Sequence, residues 1–351
     1  MRSKSVIVLR VISATALAVY LCSSALGTWP AYHQQQSDTS KSQETKKPAI
    51  SEAEASAANA VNAAPDAAAK LAAANEFIKK YPKSPVRLNV AKYVAGQIAG
   101  VSDASQKLTL AESFQKTFTV ENEQELILPI LLDAYFAANR TEDAFKLGTS
   151  VLSKQPENVS VLTQLAIAGT EEAKKKNPKY ITQSTQHGLK AIELIEANKK
   201  PADLDEQTWG QIKAMLPDLY QSVGVLSMAS SNQAEAKTKF EKASTLDPAD
   251  PFNYVMLGSI ADDEYQKAAE KYKAMPEGKD KAEALKQAQA LMDKAIDYYA
   301  RTVATSEGRP EYKQLHDQIL QDMTPYYKYR HGGSTEGMQQ LIDKYKAPAK
   351  P

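Results

Sequence analysis

A single spacing recurs along this chain and constrains its fold more than any other feature. Leu131 and Leu132 are followed 34 positions later by Leu165 and Ala166; Tyr220, Val223 and Gly224 are followed 34 positions later by Tyr254, Leu257 and Gly258. Self-similarity at such a period marks stacked supersecondary units, none of which can bury its apolar face alone. The residue types make those units helical. Ala, Lys, Gln, Glu and Leu dominate, and these are good helix formers. Only 14 of 351 residues are Gly. No stretch after residue 30 sustains the apolar alternation of a strand. The predicted fold class is all-α, an α-solenoid of stacked antiparallel helix hairpins.

A finer pattern lies inside the period. Ala73, Phe77 and Pro85 are spaced by 4 and then 8, as are Ala144, Gly148 and Pro156, and Ala236, Phe240 and Pro248. A small residue lets two helix backbones approach, and a large one fills the remaining space. Proline cannot continue a helix, because it lacks an N–H and clashes with the preceding turn. These residues resemble the tetratricopeptide repeat (TPR) family, in which each unit is two antiparallel helices closed by a Pro. The resemblance covers about residues 66–346 and is best over Pro217–Asp250 and Glu125–Asn158. Leu131 and Val223 are 92 apart and so out of phase, which implies two regular pairs of units, 125–192 and 217–284, with an insertion at 193–216.

The last unit departs from the pattern. Its first helix runs on through Tyr265, Ala268 and Tyr272, and Pro276-Glu277-Gly278 forms a turn. Leu285, Ala288, Met292, Ala295, Tyr299 and Val303, three or four apart, then make one apolar stripe. A long helical hairpin is predicted over 251–306 and a terminal cap over 310–346. An end hairpin needs a cap because one of its faces is otherwise uncovered.

The N-terminus reads as a targeting segment. Arg2, Lys4 and Arg10 precede an apolar run from Val11 to Leu21, and small residues Ser23, Ala25 and Gly27 follow. That is the layout of a secretory signal peptide, residues 1–27, cleaved after Ala25 or Gly27. The alternative is an inner-membrane anchor over residues 5–27; a spanning helix wants about 20 apolar residues, more than this run supplies. Leu21 directly before Cys22 argues against a lipidated cysteine. Cleavage removes the only cysteine and with it both a disulfide and thiol catalysis. Residues 28–65, rich in Gln, Ser and then Ala, are predicted to be a disordered linker, since they can bury too little apolar surface to offset their ordering entropy. The protein is thus expected to be exported, periplasmic or secreted.

Catalytic constellations are lacking. There is no phosphate-binding loop and no Gly-x-Ser-x-Gly elbow, and no two of the four histidines form a His-x-x-x-His pair. Asp262-Asp263-Glu264 lacks the alternating ligands and Gly of a calcium loop. No metal, cofactor or enzymatic activity is expected. With 43 basic and 42 acidic residues there is no electrostatic footprint for nucleic acid. Membrane contact is expected only through an uncleaved N-terminus.

The family resemblance implies a protein or peptide partner in a concave groove lined by first helices. It puts Asp133, Phe136, Ile167, Thr170, Val225, Met228, Ser259 and Asp262 there. The carboxylate clamp of some members is missing: the matching positions hold Pro129, Thr163, Gln221 and Val255, then Asp133, Ile167, Val225 and Ser259. A second candidate patch is Tyr326, Tyr327, Tyr329 and Arg330, either a glycan or polymer contact or side chains packed under the cap. The leading expectation is a non-enzymatic exported scaffold; the alternatives are a periplasmic factor in outer-membrane or envelope assembly and a glycan- or polymer-binding protein.

Overall fold

The computed structural model describes residues 50–201, 204 and 206–346. The predicted signal peptide or anchor, and residues 28–49 of the predicted linker, lie outside these described residues. Among the described residues there are sixteen α-helices and no strand. They are α1 (Glu52–Ala63), α2 (Ala67–Lys80), α3 (Arg87–Ala99), α4 (Ala104–Thr117), α5 (Glu121–Gln124), α6 (Leu128–Ala137), α7 (Thr141–Lys154) and α8 (Val159–Lys174). The remainder are α9 (Ile181–Glu196), α10 (Glu206–Ala214), α11 (Leu216–Ala229), α12 (Gln233–Leu246), α13 (Pro251–Ala274), α14 (Lys279–Ser306), α15 (Lys313–Arg330) and α16 (Met338–Asp343). Consecutive helices joined by short turns pack side by side, as the repeat period requires. The chain divides into an N-terminal unit, residues 50–168 with 197–212, and a C-terminal unit, residues 169–196 with 213–346.

The N-terminal unit is built on a core of Phe77, Ile98, Phe114, Phe118, Ile127 and Leu131, each 0 or 1% exposed. Asp66 caps α2 by accepting from the Ala69 N–H at 2.8 Å, satisfying one of the donors a helix start leaves free. Arg87 at the start of α3 forks onto Glu123 of α5 at 2.5 and 2.9 Å, and Glu123 is only 2% exposed. Charge-assisted paired bonds of this kind compensate the burial of the carboxylate.

The predicted linker is corrected here over its last part. Residues 52–63 form α1, whose Ser51 cap accepts from the Glu54 N–H. Val61 is 1% exposed in the shared core. Buried Lys70 of α2 donates through Nζ to the Asn62 carbonyl at 2.8 Å and to the Ala64 carbonyl. A cation on the last carbonyls of a helix opposes their partial negative charge. One valine and a lysine borrowed from the next helix thus anchor a segment whose alanines alone offer little burial.

In the C-terminal unit the small-against-large joints are explicit. A Cβ placed on Gly224 of α11 would lie 2.9 Å from Phe240 of α12, and one on Gly258 of α13 would lie 2.5 Å from Tyr299 of α14. The glycines are there because nothing larger fits. Helices α13 and α14, of 24 and 28 residues, form a long hairpin. Ala288, Met292, Ala295, Tyr299 and Val303 make its buried stripe, with Leu285 half-buried at the far end. Ile319, Met323, Tyr326 and Tyr327 of α15 and Ile342 of α16 close the same core.

Candidate partner-binding face

Residues three or four apart share one face of a helix. On α11 that groups Asp218, Gln221, Val225 and Met228; on α13 it groups Ser259, Asp262 and Gln266. In the C-terminal unit Val225 and Met228 are half-buried against the core, leaving part of each side chain at the surface. Ser259 and Asp262 are half-buried too. Gln221 Nε2 donates to Asp250 Oδ2 at 2.6 Å, and Asp250 in turn caps α13 by accepting from the Phe252 N–H at 3.0 Å. Asp262 accepts from the Tyr326 hydroxyl at 2.6 Å and from Gln266 at 3.3 Å. Burial pushes the Asp262 carboxyl above the usual aspartate range, and those two hydrogen bonds only partly restrain it. Asp218 reaches solvent, yet the protein mass around it and then Asp250 and Asp247 raise its carboxyl as well.

In the N-terminal unit α6 carries Asp133 and Phe136, and α8 carries Gln164 and Ile167. Gln164 Nε2 donates to Asp133 Oδ1 at 2.8 Å, so the two helices meet through this pair. Burial pushes Asp133 up to about 6, with Lys107 opposing the shift. Phe136 stands edge-on to Phe145 of its own hairpin, ring centres 6.3 Å apart, and Ile167 is half-buried.

One expectation is corrected, and one pair of alternatives is decided. Thr170 is 3% exposed, and its hydroxyl donates to the Ser222 carbonyl at 3.4 Å within the C-terminal unit, so it is packing and not surface. The patch at Tyr326, Tyr327, Tyr329 and Arg330 is not one patch, because successive helical residues point about 100° apart. Tyr326 and Tyr327 are 8% and 5% exposed and belong to the core. Tyr327 donates to the Glu336 carbonyl at 2.9 Å and stacks on His331 at 3.8 Å. Arg330 is held by Asp293 at 2.6 and 2.9 Å. Of the four, Tyr329 alone is exposed, and a single ring is no platform for a glycan.

Gln164 and Asp218 were not among the predicted groove residues. Asp218 precedes Val225 by seven and Gln164 precedes Ile167 by three, so helix spacing contained both; the bond from Gln164 to Asp133 shows what Gln164 does there. Among the described residues no three His, Cys, Asp or Glu side chains could hold a metal ion. No described helix is long and apolar enough to cross a membrane.

No family model matches the chain, and no curated protein matches it. Solved structures are similar to it. A thermophilic TPR protein from Thermus thermophilus is 12% identical, with a TM-score of 0.37, over 67% of this chain and 99% of its own. Pseudomonas aeruginosa pilF is also 12% identical, with a TM-score of 0.37, over 73% and 97%. A tetratricopeptide repeat protein from Parabacteroides merdae is 13% identical, with a TM-score of 0.38, over 82% and 95%. The fold assignment stands on the chain's own packing: with joints at Gly224–Phe240 and Gly258–Tyr299 on first helices one period apart, it is an all-α array of tetratricopeptide-like helix hairpins.

Proposed function

We propose that this chain is a non-enzymatic, exported scaffold that holds a protein or peptide partner on the first helices of its hairpins. The observation that carries the reading is the stripe Val225, Met228, Ser259 and Asp262. These residues share one face of α11 and α13 and stay half-buried, while Leu219, Val223, Leu226, Leu257 and Ile260 on the same helices are 0–2% exposed. Apolar side chains left partly in water on a rigid support suit a partner better than a reaction. Export is supported by Arg2, Lys4 and Arg10 before the apolar run and the small residues Ser23, Ala25 and Gly27. Sequencing the N-terminus of the exported chain tests that part: a start at Leu26 or Thr28 is expected, and an uncleaved Met1 would replace export by anchoring.

Binding is tested by a photo-crosslinking side chain at Val225 or Ser259, with Lys242 on the exposed face of α12 as the control site. The expected result is a discrete adduct with one protein from Val225 and Ser259 and none from Lys242. Equal adducts from all three positions, or none, would overturn the assignment.

A further inference from the structure

Gln164 of α8 uses only half of its amide. Its Nε2 donates to Asp133 Oδ1 of α6 at 2.8 Å, while its Oε1 is buried without a hydrogen-bond partner. An acceptor shut away from water and left unmatched carries an uncompensated desolvation cost. The amide would be matched in full by a neighbour that accepts on one side and donates on the other. An ionised carboxylate only accepts; a protonated one keeps an acceptor oxygen and adds an O–H donor. Asp133 already touches this amide, and it is half-buried, so a proton can reach it from solvent.

The charged groups around Asp133 do little to hold it ionised. Helix α6 carries no other charged residue, and α8 carries none among its residues of the N-terminal unit. On α7, Glu142 pairs with Lys146, Asp143 with Arg140 and Lys154 with Glu121. On α4, Glu112 is taken by Arg140, Lys116 is exposed, and Lys107 is the one base that acts on Asp133. Burial outweighs Lys107 and pushes the carboxyl up to about 6.

We propose that Asp133 and Gln164 form a proton-operated clasp between α6 and α8. On taking a proton from solvent, Asp133 donates through its new O–H to Gln164 Oε1 while its other oxygen still accepts from Nε2, so one bond becomes two. The N-terminal unit is then firmer in a mildly acidic medium than in a neutral one, the reverse of ordinary acid denaturation. The sign follows from linkage, because the folded chain holds this proton more tightly than an unfolded aspartate does. The contribution is complete below the ordinary aspartate value of about 4 and is lost as pH rises through about 6.

The test follows Asp133 itself, by carbon NMR of the full chain labelled at its aspartate carboxyls, with the Asp133 signal identified by its loss in Asp133→Asn. A titration midpoint near 6 is expected. In Gln164→Met, which keeps the length of the side chain and removes both amide groups, the midpoint should fall towards the ordinary aspartate range. There the protonated form loses two bonds, whereas the ionised form loses one and is relieved of the unmatched oxygen. An ordinary midpoint in the unaltered chain overturns the proposal. So does a midpoint that stays or rises in Gln164→Met, since the amide would then serve the carboxylate. A second measurement does not depend on Gln164→Met folding. Asp133→Asn carries a donor at every pH, so its urea midpoint should exceed that of the unaltered chain at about pH 7.5 and match it at about pH 5. An equal or lower midpoint at the higher pH overturns the clasp, and a circular dichroism melt confirms that each variant is folded.

Discussion

In the hairpin α11–α12, Gly224 meets Phe240 sixteen positions later; in α13–α14, Gly258 meets Tyr299 forty-one positions later. The two glycines are one period apart on equivalent first helices, so the joint is kept in space while the chain between its halves has more than doubled. The difference lies in what ends the first helix. After Ala229, Ser231 adopts a left-handed φ of 61° and the Asn232 N–H returns to the Ser227 carbonyl at 2.8 Å. Asn232 then caps α12 by accepting from the Glu235 N–H. The matching stretch of α13 is Glu264-Tyr265-Gln266, which has no stop signal, and the helix continues to Ala274. It is supported there from outside the hairpin, where Tyr265 packs edge-on against Tyr326 and Gln266 donates to the Tyr326 hydroxyl at 2.9 Å. Packing joints fix where two helices cross, and capping residues fix how far they run.

The largest effect is expected from emptying the joint. Tyr299→Ala and Phe240→Ala should each destabilise the chain by about 3–5 kcal/mol, since both remove a fully or nearly fully buried ring and leave a cavity. Urea unfolding followed by circular dichroism measures this. If Tyr299→Ala lost much less than Phe240→Ala, the joint of the long hairpin would be a passive contact, and the comparison would fail at its base.

Filling the joint should do less but discriminate more. Gly258→Ala would put a Cβ 2.5 Å from the Tyr299 ring, whereas Gly224→Ala would put one 2.9 Å from Phe240. Overpacking typically costs about 1–3 kcal/mol. Gly258→Ala is therefore expected to lose more stability than Gly224→Ala, in the same urea experiment; the reverse order would mean that the long helices slide apart more readily than the short ones.

These joints were legible in the sequence because one residue of each pair recurs at a fixed interval. Gly224 and Gly258 mark the same place twice, and the Ala288–Val303 stripe shows that α14 is long. What lay beyond reading was set by groups far apart in the chain. Helix α1 depends on Lys70 reaching back to the Asn62 carbonyl, a contact no local pattern encodes. Thr170 fits the groove register, but its exposure was decided by α11, whose Ser222 carbonyl covers it. For Tyr326 and Tyr327, adjacent to Lys328 and Arg330, the sequence left a surface contact and packing under the cap both open, and the second is what the structure holds. Helix periodicity separates them: the Tyr hydroxyls find Asp262 and the Glu336 carbonyl, and the rings join the core.

The outside support of the long hairpin can be removed one atom at a time. Tyr326→Phe deletes the hydroxyl that donates to Asp262, a charge-assisted bond at a half-buried site, with an expected loss of about 1–2 kcal/mol. The pH dependence carries the sign. The hydroxyl lowers a carboxyl that burial raises, so without it the folded-state pKa of Asp262 rises further. The folded variant then holds its proton more tightly than the unaltered chain does. The stability gap should be smallest at low pH, where Asp262 is protonated in both and the neutral bond from Gln266 is the charge-independent part of the loss, and should widen as pH rises through the window above the ordinary aspartate value. A gap that is constant with pH would assign the loss to the neutral bond from Gln266 alone.

The smallest expected effect concerns the stop signal itself. Ser231 occupies a left-handed conformation that costs a residue with a Cβ about 1 kcal/mol relative to Gly. Part of that gain is cancelled because Gly has more freedom in the unfolded chain. Ser231→Gly should therefore stabilise the chain by at most about 0.5 kcal/mol, read as a higher urea midpoint at an unchanged slope. At Tyr265, the corresponding position of α13, the φ is helical and the same substitution should instead destabilise. It would bring the full helix-interior penalty of Gly, about 1 kcal/mol, together with loss of the Tyr326 contact. Opposite signs at these two equivalent positions would locate the divergence of the hairpins in the turn residue. Equal signs would move it to the packing of α15 against α13.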